Sequence, residues 1–532
     1  MAKHNAHVLM VAAENDAVPG GKVGGIGDVL RDVAPALAEK GTKVSVITPA
    51  YGAFMELPGA ERLGSLHPRF SGQTERVDLY EVPGRQRNTG VQNLVLDHPQ
   101  FSPCGAGRIY CDDPPAEPFA TDATKFALFC AAVAELLREG ALGSVDVVHL
   151  HDWHAALVAA LIAHDAAFKP LRRLRCVFTI HNLALQGVRP FSGNASSFLS
   201  WFPDLGSAYR DLADPRWPDC INLMAVGIRL AHKVHAVSPT YSEEIQQQST
   251  VASIGFHGGE GLEAELVTAQ EQGRLVGILN GCEYPRDDSA AGAPTWTVLR
   301  TLMAQEILRW ASQEPALPGV HFVASKRVEN LKPKRPCTLV TSVSRLTDQK
   351  VRLFCETVSG GRSTLEHLLE ILHDKGVFVF LGSGDPALER RLAGVSARHD
   401  NFIFLRGYSD ALAQALYAAG DLFLMPSSFE PCGIGQMLAM REGQPCLVHH
   451  VGGLRDTVAD DRTGFAFTGE GLREQANAFI ARFEAVLEMR ENDPRHYAAI
   501  GRAARNQRFE WSASVRRYMR ELYSFDREEA TT

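Results

Sequence analysis

The 532 residues exceed the usual span of one domain and divide comfortably into two α/β units. Composition is that of a globular protein, 45% hydrophobic and 22% charged, and a net charge of −8 gives no reason to expect nucleic acid or an acidic membrane as partner. Ten cysteines without a C-x-x-C pair read as small buried hydrophobes rather than a disulfide framework; with no signal peptide or bilayer-length apolar run in view, a soluble cytoplasmic protein is expected.

Short β-branched runs alternate with helical patterns along the chain, which predicts parallel sheets with crossover helices. In the first half, strands are expected at His7–Ala13, Lys43–Pro49, Val145–Leu150, Cys176–Ile180 and Lys233–Val237, with helices at Val29–Lys40 and Asp122–Leu137. Ser192–Trp217 mixes aromatics, Pro and Gly without a period and reads as a surface loop. Tyr284–Pro294, rich in Pro, Asp, Ala and Gly, reads as a linker. Beyond it, strands are expected at Cys337–Val343, Val377–Leu381, Phe402–Leu405, Leu422–Met425 and Cys446–Val448, with a helix at Ala411–Ala419. Phe509–Phe525 closes the chain with a helical pattern rich in Arg and aromatics. Each half then has its own sheet, and the cleft between the two is the expected active site.

Chemistry gathers where these strands end, since ligands of open α/β sheets bind at the carboxyl ends of strands. Gly20–Asp28 follows the first strand and precedes a helix; its glycines permit close backbone approach, and Lys22 favours an anion over the bland reading of a flexible turn. It is neither a G-x-x-x-x-G-K-[ST] loop nor a clean G-x-G-x-x-G fingerprint. His149-Leu-His151-Asp152-Trp153-His154 comes close to a binuclear metal motif, but its Asp falls one position early and no partner set has ligand spacing. A polar wall for sugar hydroxyls, or a packed role for Trp153, fits better. His181 reads as a base, a hydroxyl ligand or a satisfied core histidine.

In the second half, Arg345 and Lys350 flank a turn after a buried strand and suit a clamp on a diphosphate; the bland alternative is a solvated charged turn. The turns Gly382–Asp385, Gly407–Ser409 and Gly452–Thr457 point to the same rim. The run Ser427–Gln436 sets one carboxylate, Glu430, beside glycines that open a helix. A carboxylate next to an anion nest suits a substrate with phosphate at one end and hydroxyls at the other.

Lys22–Asp28, His151–His154, His181–Gly187, Val237–Tyr241, Gly277–Gly281, Ser344–Lys350, Phe429–Gly433 and Gly452–Val458 occur in the order seen in bacterial glycogen synthases and plant starch synthases, which this chain resembles over nearly its whole length. The resemblance implies an α/β chain of GT-B architecture. Its expected parts are an N-terminal Rossmann-like domain over 1–283, a C-terminal one over 284–508 that holds the donor, and a helix over 509–532 crossing back to the first. It further implies retaining glucosyl transfer from a nucleotide-diphosphate glucose, usually ADP-glucose, to the non-reducing end of an α-1,4-glucan, with no metal or other cofactor. By the match, Glu430 binds the transferred glucose, Arg345 and Lys350 hold the diphosphate, and His181 contacts the glucose, with Asp28 and Asp152 nearby. Lys22, beside Gly24 and Gly25, would touch the donor phosphate or the sugar side. Tyr408 would stack on the base. The turn Cys432, Gly433, Ile434 and Gly435, together with Thr457, would complete the phosphate site, and Asn280 would join the substrate contacts.

The chain departs from the family pattern at three places. Asn222-Leu-Met-Ala225 lacks a basic residue at its end, Asn280-Gly281-Cys282-Glu283 is altered, with Tyr284-Pro285-Arg286 after it, and Lys350 is followed by Val351 rather than Gly. These changes touch the acceptor side and the hinge, and leave the donor-site charges intact.

Overall fold

The computed structural model describes residues 6–205, 211–250, 257–284, 292–314 and 318–525. The chain forms two compact units, the first drawn from Met1–Ser249, Gly258–Gly281 and Trp511–Thr532, the second from Thr250–His257 and Cys282–Glu510. Of the expected linker, residues 285–291 lie outside the described residues.

The first unit is built on a nine-stranded sheet. Its strands are β1 (His7–Val11), β2 (Lys43–Pro49), β3 (Glu61–Leu66), β4 (Val77–Val82), β5 (Val91–Asp97), β6 (Val147–His151), β7 (Arg175–Ile180), β8 (Lys233–Ala236) and β9 (Leu275–Gly277). Their spatial order is β9-β8-β7-β6-β1-β2-β5-β4-β3. From β9 to β5 every pairing is parallel, while β4 and β3 add antiparallel at one edge. The sheet reverses direction between β1 and β6, and at such a switch point the loops after neighbouring strands diverge and leave a crevice. The predicted strands of this half are all present, because strands buried on both faces read as continuous apolar runs. The edge formed by β3 to β5 was not expected. Glu61–Leu66 is largely exposed and Val77–Val82 only alternately buried, so neither carries such a run.

The C-terminal segment belongs to this unit. Trp511, Val515, Tyr518, Leu522 and Tyr523 pack with Ile26, Val29, Leu30 and Val33 of the helix Gly25–Ala38 and with Val8, Met10, Val44 and Val46 of the sheet. Ser514 donates to the carbonyl of Leu279 at 2.6 Å, and Tyr523 bonds His149 at 2.8 Å, so the segment is tied by polar contacts as well as by burial.

The second unit carries β10 (Thr338–Val343), β11 (Gly376–Gly382), β12 (Phe402–Arg406), β13 (Leu422–Met425), β14 (Cys446–His449) and β15 (Phe465–Phe467), all parallel, in the order β12-β11-β10-β13-β14-β15. This is the 3-2-1-4-5-6 order of a Rossmann sheet. Side chains alternate across it as a strand requires: Phe378 and Phe380 enter the core on one face, Val379 and Leu381 that on the other.

Two sequence expectations need correction. Cys104 and Cys111 are joined by a disulfide across a short loop, while the other eight cysteines form none. Their partnership depends on the loop turning back on itself, which spacing alone did not reveal. Ser192–Trp217 is not simply a surface loop: among its described residues, Phe198 and Trp201 are buried.

Candidate functional site

In the first unit, the glycine-rich turn is organised by a residue the sequence reading passed over. Glu14 stands just beyond β1, and its Oε2 accepts the amides of Val23 at 2.8 Å and Gly24 at 2.5 Å. Its Oε1 accepts the hydroxyl of Tyr110 at 2.7 Å. A side chain at Gly21 would meet the carbonyl of Asn15 at 2.2 Å, so the turn is closed to any larger residue there. The carboxylate thus takes two of the amides at the start of the helix Gly25–Ala38. Lys22 Nζ is paired with Asp28 at 2.7 Å, and Asp28 also accepts from Arg31 at 2.9 Å. Gly25 is exposed. Glu14 was findable: it occupies the strand-end position that drew attention to the other motifs.

The ends of β6 and β7 bring the histidines together. Asp152 has φ +56°, and its Oδ1 accepts the amide of His181 at 2.7 Å. Burial pushes its carboxyl up to about 8, against the pull of the amides of His181 and Asn182. His181 Nε2 bonds His151 Nδ1 at 2.9 Å, and desolvation by the surrounding protein pushes His181 down to about 3. His149 is held by Tyr523 and, at 2.6 Å, by Thr179, which in turn bonds His235 at 3.0 Å. Trp153 is buried against Gly187, with φ +62°, where a Cβ would lie 2.3 Å from the indole. The hydroxyl of Tyr241 accepts the amide of Leu183 at 3.0 Å and pins the turn after His181. Asn280 is buried, its Oδ1 without a partner among the described residues. Among the described residues no group of three or more His, Cys, Asp or Glu is placed to hold a metal ion.

Ala225, where the family pattern has a basic residue, is fully buried. Asn222 caps its helix by accepting the Ala225 amide at 2.9 Å, and donates to Gln186 and Asp214 at 2.7 Å each.

In the second unit, Glu430 is 4% exposed and ion-paired with Lys350. Gln349 donates to the carbonyl of Phe429 at 2.7 Å and receives, through its own carbonyl, the amide of Ser428 at 2.9 Å. These bonds lace the turn after β10 to the turn after β13 and set the pair in register. Arg345 lies at the exposed start of the same turn, its guanidinium without a partner among the described residues. Gly433 adopts φ +75°, and Gln436 Nε2 gathers the carbonyls of Cys432 and Gly433 and the hydroxyl of Thr457 at 3.0–3.2 Å. Gly453 donates to the carbonyl of Glu430 at 3.0 Å, and a Cβ on it would strike the Cys432 carbonyl at 2.2 Å. Cys432 is buried, Ile434 precedes the helix Gly435–Arg441, and Thr457 ends the helix Gly452–Thr457. The ring of His257 lies 5.2 Å from that of Phe429.

Two of the rim turns have a structural task. Asp385 caps the helix Pro386–Arg398 and Ser409 caps Asp410–Ala419. Tyr408, between them, is half exposed, with its hydroxyl on Asp410 at 2.7 Å. Gln436 and Gln349 are the organising residues missed here; both sit inside motifs already singled out, but as uncharged side chains they gave no signal of their own.

A buried carboxylate paired with a lysine, on turns that also carry a close-packed glycine run and an arginine unpartnered among the described residues, can hold a phosphate at one side and a polar group at the other. Residues 7–267 match the starch synthase catalytic domain, and residues 339–488 match the group 1 glycosyl transferases. A glycogen synthase of Streptococcus sanguinis is 31% identical over 96% of this chain and 98% of its own length. One of Deinococcus deserti is 34% identical over 96% and 98%. The catalytic domain of starch synthase IV from Arabidopsis thaliana, solved with ADP and acarbose, is similar at TM-score 0.71 with 26% identity, over 98% of this chain and 99% of that one. The two Rossmann-like sheets are accordingly those of the GT-B class. With relatives this similar from end to end, the chain belongs to the glycogen synthase and starch synthase family of glycosyltransferases.

Proposed function

We propose that the protein is a glycogen synthase that transfers glucose, with retention, from ADP-glucose to the non-reducing end of an α-1,4-glucan in the cytoplasm. The observation that carries this reading is the Lys350–Glu430 pair, with Arg345, unpartnered among the described residues, at the start of the turn that bears Lys350.

Breaking the bond between glucose and diphosphate sends an electron pair to the phosphate and leaves positive charge on the sugar ring. Arg345 and Lys350 are the cations assigned to the phosphate, and Glu430 is assigned to the ring. A phosphate oxygen competes with Glu430 for the Lys350 ammonium, so donor binding turns the lysine to the diphosphate and the carboxylate to the sugar. Both groups act by preorganised charge. The turn Cys432–Gly435, with Thr457 behind it, is assigned to the phosphates and Tyr408 to the base. On the first unit, Lys22, Gly24, Gly25, Asp28, Asp152, His181 and Asn280 are assigned to sugar and donor recognition.

The test is incubation of the purified protein with glycogen and labelled ADP-glucose or UDP-glucose, with linkage analysis of the product. The reading expects α-1,4-linked label from ADP-glucose. Label from UDP-glucose alone rejects the donor, and no label in polymer from either rejects the activity.

A further inference from the structure

His151, at the end of β6, has no part in the transfer as assigned above, yet it touches a residue that does. It is 1% exposed, and its two ring nitrogens have different surroundings. Nδ1 bonds His181 Nε2 at 2.9 Å, while Nε2 is sealed from solvent with no partner among the described residues. The ring of His149 stacks on it at 4.3 Å, but both nitrogens of His149 are engaged, one by Tyr523 and one by Thr179. His181 is also fixed at its root, because its amide donates to Asp152 Oδ1 at 2.7 Å.

Burial pushes both imidazoles down, so each is neutral and carries a single ring proton. One proton then lies between the two rings, and two arrangements are open. If His181 Nε2 donates, the proton of His151 is on its own Nε2, an N–H sealed in the protein with no acceptor. If His151 Nδ1 donates, the sealed Nε2 is a bare lone pair. Orphaned buried N–H groups are rarer than under-used acceptors, which favours the second arrangement. It puts the proton of His181 on Nδ1. That atom has no partner among the described residues and, in a half-buried ring, is not among the sealed ones. An N–H at the carboxyl end of β7 is thereby left for a ligand.

We propose that His151 is a positioning residue that locks His181 in the Nδ1–H tautomer, so that His181 serves the transfer as a hydrogen-bond donor to a sugar hydroxyl and not as a base. Its Nε2 lone pair is taken by His151, and Nδ1 already carries a proton, so neither nitrogen accepts one from a substrate. The sugar hydroxyl rests on the transfer reading; the tautomer does not. The experiment joins NMR of the ring nitrogens, in the full chain isotopically labelled at histidine, to a kinetic cycle. The resonances of His181 are those lost in His181→Asn, and they are expected to show a protonated Nδ1 and a bare Nε2. The reverse tautomer, or a ring protonated at both nitrogens, overturns the proposal whether or not the protein transfers glucose. In glucose incorporation, His151→Leu is expected to lower kcat about 10-fold, the weight of one hydrogen bond. His151→Asn, whose amide nitrogen sits on Cγ as Nδ1 does, is expected to stay within about 3-fold of wild type. Asparagine in place of His181 keeps an N–H and has no tautomer to lock, so in that background His151→Leu should cost less than about 2-fold. An equal loss in both backgrounds marks His151 as merely structural and overturns the proposal, as does full activity in a folded His151→Leu. Should that variant fold poorly, the NMR result decides alone, since it needs no change at His151.

Discussion

The ammonium of Lys350 and the carboxylate of Glu430, eighty positions apart in the chain, form an ion pair at the carboxyl edge of the second sheet. Each comes from a turn after a different strand, and Gln349 stitches the two turns together. The two turns are therefore set by the fold before any substrate arrives, so that donor binding has only the two side chains to redirect.

Removing either charge should cost turnover. Glu430→Gln keeps the shape and Lys350→Ala removes the ammonium; each is expected to lower kcat for glucose incorporation by about 100- to 1000-fold, the scale of a lost transition-state contact. Glycogen affinity, measured separately by sedimentation with the polymer, should change far less. Near-normal turnover in either variant would show that the catalytic assignment is wrong.

Arg345 has no protein partner among the described residues and is exposed, so its loss should leave the fold alone. Arg345→Ala is expected to weaken ADP binding by about 10- to 100-fold, as for a charged hydrogen bond of about 1.5–3 kcal/mol, with the urea midpoint unchanged. Calorimetric titration with ADP checks it, and equal affinity in both proteins refutes the role.

Gly187 offers a test of packing near the histidine turn. Alanine there would carry φ +62° and place Cβ 2.3 Å from the rigid indole of Trp153. Strain and overpacking together should destabilise by about 2–4 kcal/mol. Gly319→Ala, with open space around its Cβ, is the control expected to stay within about 0.5 kcal/mol. Equilibrium urea unfolding of both variants decides between packing and a generic glycine effect.

The buried histidines predict an acid-labile fold. Burial lowers His235 and His449 to about 4, below the ordinary value of 6.5. Between those values the unfolded chain binds protons that the folded one does not, so stability is present above 6.5 and is lost as pH falls towards 4. Asp152, raised to about 8, works the other way, losing stability as pH rises from about 4 to 8, but it is one group against several histidines. Each histidine contributes on the order of 1 kcal/mol per pH unit in its window. Urea midpoints should fall from pH 6.5 to 4.5, less steeply in His235→Gln. A flat midpoint over that range contradicts the account.

The strands that run through both cores were legible in the chain because burial on both faces demands unbroken apolar runs, and Lys43–Pro49 and Leu422–Met425 match residue for residue. The motifs were legible too, since Glu430, Arg345 and His181 sit at strand ends whose types and order are local properties. Hidden from the sequence were relationships that depend on which strand ends become neighbours. These include the hold of Glu14 on Val23 and Gly24, the disulfide between Cys104 and Cys111, the edge of β3 to β5, and the pairing of Lys350 with Glu430. Periodicity reports whether a residue faces a core, and motif chemistry reports what it can do. Only the tertiary structure brings residues eighty positions apart into contact, because sheet order is decided by packing of whole elements and leaves no mark on the residues nearby.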